Sequence, residues 1–211
     1  MNYKFLKYTL HISCTIYIHM TPIQYKFQSD ENLVKLALTN DPKAYYHLVK
    51  RYQNKLLRYT TALLHNHDQA EDATQNAFIK AYQNLHRFNP KLKFSSWIYR
   101  IAHNEAINSI KKNKRHQTIN EPAFLNLQPD KTTSKLTELI NQEQAHQLLQ
   151  TITKLPLKYQ EVITLYYFEN KSYQEISDIL RLPKNTIGTH LSRAKKQLKT
   201  LIQKEEHHAK N

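Results

Sequence analysis

"YQEISDILRLPKNTIGTHLSRAKKQLK", residues 173–199, decides how the chain is read. Ile176, Ile179 and Leu180 recur at the spacing of one helix face, "RLP" interrupts, and Ile187, Leu191, Ala194 and Leu198 mark the inner face of a second helix. Short helix, tight corner, long helix is the order of a helix-turn-helix. In that motif the first turns of the second helix enter the DNA major groove while the preceding helix lies across the backbone. The outer face carries Thr189, His190, Ser192, Arg193 and Lys196. Together with Tyr173, Gln174, Lys184, Asn185 and Thr186 these are the candidate duplex contacts. No acidic residue falls between Asp178 and Glu205, whereas Arg181, Lys184, Arg193, Lys195, Lys196, Lys199 and Lys204 do. A solvated basic face would explain the charge but not the order of the helices. Gly188, the only glycine of the chain, sits inside the second helix, where glycine costs about 1 kcal/mol relative to alanine.

The whole chain agrees with an anionic partner. Its 211 residues hold 31 Lys and Arg against 17 Asp and Glu, a formal charge of +14, a balance typical of nucleic-acid binding. One glycine and seven prolines leave little turn chemistry for hairpins, so an all-α fold is expected. Cys14 is the only cysteine. It rules out an internal disulfide and a cysteine zinc cluster and fits a reducing cytoplasm. The twelve histidines are scattered, and neither His65 with His67 nor His207 with His208 has a completing ligand set. No metal, cofactor or catalytic residue is assigned. Residues 1–28 begin as a weak imitation of a signal peptide, with Lys4 and Lys7 before an apolar run broken by His11 and His19. The run is too short and polar to span a bilayer. It reads as a disordered extension, or as sequence ahead of a start at Met20, outside the fold.

From Ser29 the pattern is helical. Ser29 or Asp30 is the expected cap of a first helix, and Asp41 with Pro42 opens a second, whose stripe is Tyr45, Leu48, Tyr52, Leu56, Tyr59 and Leu63. Asp68 and Glu71 have the spacing of a capping box. The helix they open buries Ala70, Ala73, Ala77, Phe78, Ala81, Leu85 and Phe88. After "NPKLK", Ser95 or Ser96 is the expected cap of a helix with Trp97, Ile98, Ile101, Ala102, Ala106 and Ile110 inside. Residues 113–132 lack periodicity and hold Pro122 and Pro129, the marks of a flexible linker. Helical spacing returns at Leu136, Leu139, Ile140, Leu148, Leu149 and Ile152 and stops at Pro156. The expected architecture is two small helical domains, 29–112 and 133–204, followed by a polar tail, 205–211.

The first domain carries its own signal. Between Ala73 and Asn120 the only acid is Glu105, among Lys80, Arg87, Lys91, Lys93, Arg100, Lys111, Lys112, Lys114 and Arg115. Phe88, Phe94, Trp97 and Tyr99 are interleaved with them. Cations that follow phosphates, beside rings that stack on unpaired bases, suit a single strand. Core packing explains Phe88 and Trp97 equally well. Asp68, Glu71 and Asp72 gather at a helix start, which compensates the helix dipole and also suits a protein-docking patch.

These residues resemble a known family. "AEDATQNAFIKAYQNLHRF" with "KFSSWIYRIAHNEAINSIKK" resembles the second conserved region of bacterial sigma factors, and "LPLKYQEVITLYYFENKSYQEISDILRLPKNTIGTHLSRAKKQL" the fourth. Only these two regions, joined by a linker, match the extracytoplasmic-function (group IV) members, and the resemblance spans residues 30–202. It implies a subunit that binds core RNA polymerase, directs it to promoters and assists opening. Asp68, Glu71, Asp72, Gln75 and Phe78 then fall on the polymerase-docking helix. Arg87, Lys91, Lys93, Phe94, Trp97, Tyr99, Arg100, Asn104, Lys111 and Lys112 fall on the side that reads the −10 element as it melts. The helix-turn-helix reads the −35 element as duplex. Implied partners are core polymerase and promoter DNA, with an anti-sigma factor as the inhibitor family members often have. No small-molecule substrate, cofactor or membrane insertion is implied, and the implied location is the cytoplasm. Three positions depart from the family pattern: Asn76 and Asn108 where an acid is common, and Gly188 where a basic residue is common.

The competing reading is a helix-turn-helix regulator that binds duplex DNA without docking on polymerase. An enzyme acting on nucleic acid would need paired carboxylates, a metal cluster or a glycine-rich phosphate loop, and the sequence offers none.

Overall fold

The computed structural model describes residues 22–39, 41–115 and 142–209. All regular structure among them is helical. The first unit comprises α1 (Pro22–Phe27), α2 (Asp30–Leu38), α3 (Pro42–Leu64), α4 (His67–Gln83), a 3₁₀ turn at Leu85–Arg87 and α5 (Phe94–Arg115). The second comprises α6 (Gln142–Thr153), α7 (Leu157–Ile163), a π-helical turn at Thr164–Phe168, α8 (Tyr173–Leu180) and α9 (Lys184–Ala209). Part of the linker, the residues Leu136, Leu139 and Ile140, and Cys14 and Met20 lie outside the described residues.

The α3 stripe packs as its spacing predicts: Leu48, Tyr52, Leu56, Tyr59 and Leu63 are buried. Opposite them α4 presents Ala70, Ala73, Ala77 and Ala81, all buried, small side chains that let α4 approach α3 and α5 closely. Burying each large apolar side chain contributes about 1.5–3 kcal/mol. The close α3–α4 contact also buries hydroxyls, and these are satisfied: Thr60 Oγ1 donates to the Leu56 carbonyl at 2.9 Å and lies 3.0 Å from Thr74 Oγ1.

The caps show where local sequence misleads. Ser29 accepts from the Asn32 amide and Asp41 from the Lys43 amide, as expected. The cap of α4, however, is Asn66, which accepts from the Gln69 amide at 3.0 Å. His65 takes the left-handed conformation (φ 53°) and ends α3 so tightly that α4 starts before Asp68. Asp68 therefore lies in the first turn, and no Asp68–Glu71 capping box forms. Nor does Ser95 or Ser96 cap α5, which begins at Phe94 with the Trp97 amide bonded to the Lys93 carbonyl. Asn89 instead shapes the preceding turn by accepting from the Lys91 amide.

The fold also begins earlier than residue 29. Tyr25 on α1 is buried and donates to Asp41 Oδ2 at 2.5 Å, and Arg51 Nη2 donates to the carbonyls of Lys26 and Gln28. Residues 22–28 are thus fastened to the first unit. Helix α5 runs on to Arg115 and α9 to Ala209, past the boundaries expected at 112 and 204.

In the second unit Tyr159, Val162, Ile163, Leu165, Ile176, Ile179, Ile187, Leu191 and Ala194 form the core. Ser172 and Glu175 make a reciprocal capping box at the start of α8. The two units close on each other, α8 lying on α5 and α7 on α3.

Candidate nucleic-acid interface

The helix-turn-helix is built from α8, the corner Arg181–Pro183 and α9. Arg181 adopts the left-handed conformation (φ 55°) that usually favours glycine. Its strain is offset locally by Ser177 Oγ, which donates to the Leu182 carbonyl at 2.6 Å and closes the corner. Pro183 then leads into α9, its carbonyl accepting from the amides of Thr186 and Ile187. With Ile187, Leu191 and Ala194 held in the core, the other faces of α9 are fixed. Lys184, Asn185, Thr189, Ser192, Arg193 and Lys196 are exposed together, and Thr186 is half-buried. Tyr173 and Gln174 lie exposed at the start of α8, where Gln174 Nε2 donates to Asp178 at 2.9 Å.

His190 does not belong to that outer face. Its ring packs edge-on against Tyr159, with centroids 5.8 Å apart. Burial, followed by the nearby Lys158 and Arg193 charges, lowers its pKa, so it stays neutral near pH 7. Helical spacing places it at the edge between faces, and only its partner on α7 decides the side.

Gly188 is helical with negative φ. A β-carbon there would meet one neighbour, Tyr173 Cε2 at 3.6 Å, an ordinary contact. The backbone thus does not require glycine. A long side chain would have to pass the Tyr173 ring, which itself leans edge-on against Tyr166 at 5.5 Å.

In the first unit, Asp68, Glu71, Asp72 and Gln75 line the exposed side of α4, Glu71 lying 3.2 Å from His67. Phe78 points the other way, into the core, and its carbonyl accepts from Tyr45 Oη at 2.6 Å. The same exposed side carries two apolar residues that the sequence reading did not single out, Ile79 at 54 % and Tyr82 at 55 % exposure. They follow Asp72 and Gln75 at helical spacing and make a stripe with an acidic start and an apolar end. Tyr82 leans on the half-buried Tyr45, ring centroids 4.9 Å apart, yet both Ile79 and Tyr82 stay open to solvent, which periodicity alone does not reveal.

The residues expected to face a melted strand divide into two groups. Arg87, Lys91, Lys93, Asn104, Lys111 and Lys112 are exposed. Phe94 and Trp97 are enclosed in an aromatic cluster with Phe88 and Tyr52, ring centroids 5.4–5.8 Å apart. Tyr99 is fully buried and Arg100 half-buried. Glu105, the lone acid of this span, is taken by Lys80 at 2.7 Å, which leaves the rest of the span cationic.

A further open groove of about 500 Å³ lies on the second unit. Its walls include Leu148, Ile152, Ile163, Tyr167, Phe168, Leu198 and Ile202, with Lys195 and Lys199 at the margin. Among the described residues no group of three His, Cys, Asp or Glu side chains is arranged to hold a metal ion, and no helix is long and apolar enough to cross a membrane.

Two units, all-helical among the described residues, one carrying a basic helix-turn-helix and the other a cationic helix beside an acidic-apolar stripe, are the architecture of a two-region transcription initiation factor. Residues 48–116 match the family model for sigma-70 region 2, and residues 145–198 that for sigma-70 region 4. The chain is 32 % identical to the ECF RNA polymerase sigma factor SigW of Bacillus subtilis (strain 168), over 79 % of this chain and 92 % of that protein. It is 30 % identical to the ECF RNA polymerase sigma-E factor of Escherichia coli (strain K12), over 83 % and 95 % respectively. The fold is similar to that of CnrH in complex with the cytosolic domain of CnrY, with a TM-score of 0.63 at 22 % identity, covering 83 % of this chain and 98 % of that one. It is also similar to the sigma factor RpoE of Bartonella quintana in complex with the anti-sigma factor NepR, with a TM-score of 0.62 at 22 % identity, covering 76 % and 98 %. The chain belongs to the extracytoplasmic-function sigma factors of the sigma-70 family.

Proposed function

We propose that the chain is a promoter-specificity subunit, which binds core RNA polymerase, directs it to promoters by their −35 and −10 elements and assists opening of the duplex. One observation carries this reading: a single chain pairs an exposed basic helix-turn-helix face, around Arg193 and Lys196, with an exposed docking stripe on α4 from Asp68 to Tyr82. A regulator that only bound an operator would use the first and have no use for the second.

In this reading residues 29–112, together with the fastened segment 22–28, dock on polymerase and read the −10 strand. Asp68, Glu71, Asp72 and Gln75 contact polymerase, and Phe78 shapes the helix from beneath. Arg87, Lys91, Lys93, Asn104, Lys111 and Lys112 follow the strand, with Tyr99, Arg100, Phe94 and Trp97 behind them. Residues 133–204 read the −35 duplex, where Arg193 and Lys196 supply charge and Asn185 and Thr189 hydrogen-bonding groups. The chain itself performs no bond chemistry, since nucleotide addition belongs to the polymerase, and it acts in the cytoplasm. CnrH is complexed with the cytosolic domain of CnrY and the Bartonella quintana RpoE with the anti-sigma factor NepR, which supports an anti-sigma factor as a further partner here.

Co-purification tests the reading. Tagged chain mixed with core polymerase should elute as a stoichiometric complex, and Ile79→Glu should abolish it without loss of helicity. A chain that binds duplex DNA and never core polymerase is the operator-binding regulator instead.

A further inference from the structure

Position 188 is the one place on the outer side of α9 without a side chain. Helical spacing puts it in a row with Asn185 before it and Ser192 after it, both exposed beside Thr189. The side chains of this row are short, whereas Arg193 and Lys196 beyond it are long and charged. Short groups at the centre of a reading helix let its backbone approach base edges closely, and the flanking cations still reach phosphates.

The gap at 188 has one neighbour. Among the described residues, the atom beyond α9 that a β-carbon there would meet is Tyr173 Cε2, at 3.6 Å. At this turn the group on the outer side is therefore supplied by α8. Tyr173 is the first residue of α8 and is 42 % exposed. Its ring is held in place. Tyr166 meets it edge-on at 5.5 Å and is itself edge-on to Tyr167 at 4.9 Å. The reciprocal capping box of Ser172 and Glu175 fixes the backbone on either side of it. A ring so fixed loses little freedom when it meets a partner.

The chemistry of the ring says what it can recognise. Its edge carbons are apolar, and the apolar group that B-DNA displays in the major groove is the C5 methyl of thymine. A long cation at 188 would read guanine through O6 and N7 instead, and glycine removes that option. We propose that Tyr173 is a specificity-determining residue of the helix-turn-helix, its ring reaching across the gap at Gly188 to the C5 methyl of one thymine in the upstream element. Gly188 is the residue that leaves room for it. The proposal rests on the reading of α9 as the duplex-reading helix.

The test uses the full chain with core polymerase present. The tightest duplex selected from a random pool is remade with each thymine in turn replaced by deoxyuridine, which removes only the methyl. At one position the exchange should weaken binding about fourfold, the worth of one buried methyl group. Tyr173→Phe should keep that discrimination, because the ring carries it. Tyr173→Ala should lose it, with thermal unfolding as the folding control. Gly188→Arg should lose it too while binding duplex more tightly, since its side chain fills the gap. Wild-type binding that ignores every methyl overturns the proposal. So does discrimination that survives in Tyr173→Ala, or a loss in that variant that is uniform across duplexes, the mark of a phosphate contact. Methyl discrimination by a chain that never binds core polymerase keeps Tyr173 as a reader and loses the sigma-factor reading. Chain-dependent initiation without methyl discrimination does the reverse.

Discussion

Tyr99 and Glu169, seventy residues apart, meet across the two helical units, and neither is exposed to water. Burial, then the neighbouring carboxylate, holds the Tyr99 hydroxyl well above its ordinary pKa, so it remains a donor. Burial raises the Glu169 carboxyl and Arg58 pulls it back. Arg58 is the largest of the groups that favour the charged carboxylate, ahead of the Tyr99 hydroxyl, Lys171 and Lys55. Arg58→Ala should destabilise the chain by about 3 kcal/mol, the usual cost of stranding a buried charge, as measured by urea denaturation. Adding Glu169→Gln to it should recover part of the loss. A loss that simply adds in the double variant would show that the two side chains do not interact.

The same interface should respond to pH. Burial pushes the Glu161 carboxyl up to about 7 and the His103 imidazole down to about 4. Glu161 Oε1 lies 3.9 Å from His103 Nε2, and Tyr59 Oη bonds the other ring nitrogen at 2.9 Å. Between the ordinary carboxyl pKa and 7 the folded chain holds a proton on Glu161 that the unfolded chain has released, so stability falls as pH rises through that window. His103 has the opposite sign, and its contribution grows from pH 4 to its ordinary pKa near 6.5. Of this pair only the Glu161 effect remains from pH 6.5 to 8, and it should lower the melting temperature there. Glu161→Gln should flatten the decline, and an unchanged slope would contradict the assignment.

On α4 the two faces should separate folding from docking. Phe78→Ala opens a core cavity and should cost about 3–5 kcal/mol. Tyr82→Ala and Ile79→Glu, on the exposed side, should leave thermal unfolding almost unchanged and weaken polymerase binding. If all three variants lose stability equally, the exposed stripe is part of the core and not a docking face.

At Gly188 the available space predicts a gain. Gly188→Ala should stabilise the chain by about 0.5–1 kcal/mol through helix propensity, because its β-carbon makes only an ordinary contact with Tyr173. Gly188→Arg should also fold and should bind duplex more tightly, its guanidinium passing the Tyr173 ring toward the groove. Destabilisation by alanine, read as a lower melting temperature, would contradict this.

Much of the fold was legible because long amphipathic helices announce themselves. The α3 stripe from Leu48 to Leu63 and the helix-turn-helix core from Ile176 to Ala194 follow from spacing alone. The α4 cap was misread because Asp68–Glu71 satisfies a local rule, while the left-handed His65 places Asn66 at the start. Residues 22–28 read as part of a disordered extension, yet one ring, Tyr25, and the Arg51 guanidinium fasten them. For the site, charge located the exposed cations but could not separate a stacking ring from a core ring at Trp97. It also could not foresee that Glu169, in no periodic pattern, would be turned by a π-helical segment onto Tyr99. Contacts between units depend on three-dimensional complementarity that helix periodicity does not encode.

The helix-turn-helix carries a direct consequence for promoter choice. Arg193→Ala should weaken binding of the −35 duplex by about 1–3 kcal/mol and relax one base position if Arg193 reads a base. If it contacts phosphate, the loss should be uniform across sequences. Titrations against a library of single-base variants distinguish the two, and no loss at all would remove Arg193 from the interface.

The most direct measurement of the central claim is run-off transcription with core polymerase and the purified chain on a genomic library, with start sites mapped at base resolution. The account predicts starts at a discrete set of promoters sharing a −35 and a −10 element, absent without the chain and lost with Ile79→Glu. Binding to core polymerase without any chain-dependent start, or starts that share no upstream element, would contradict it.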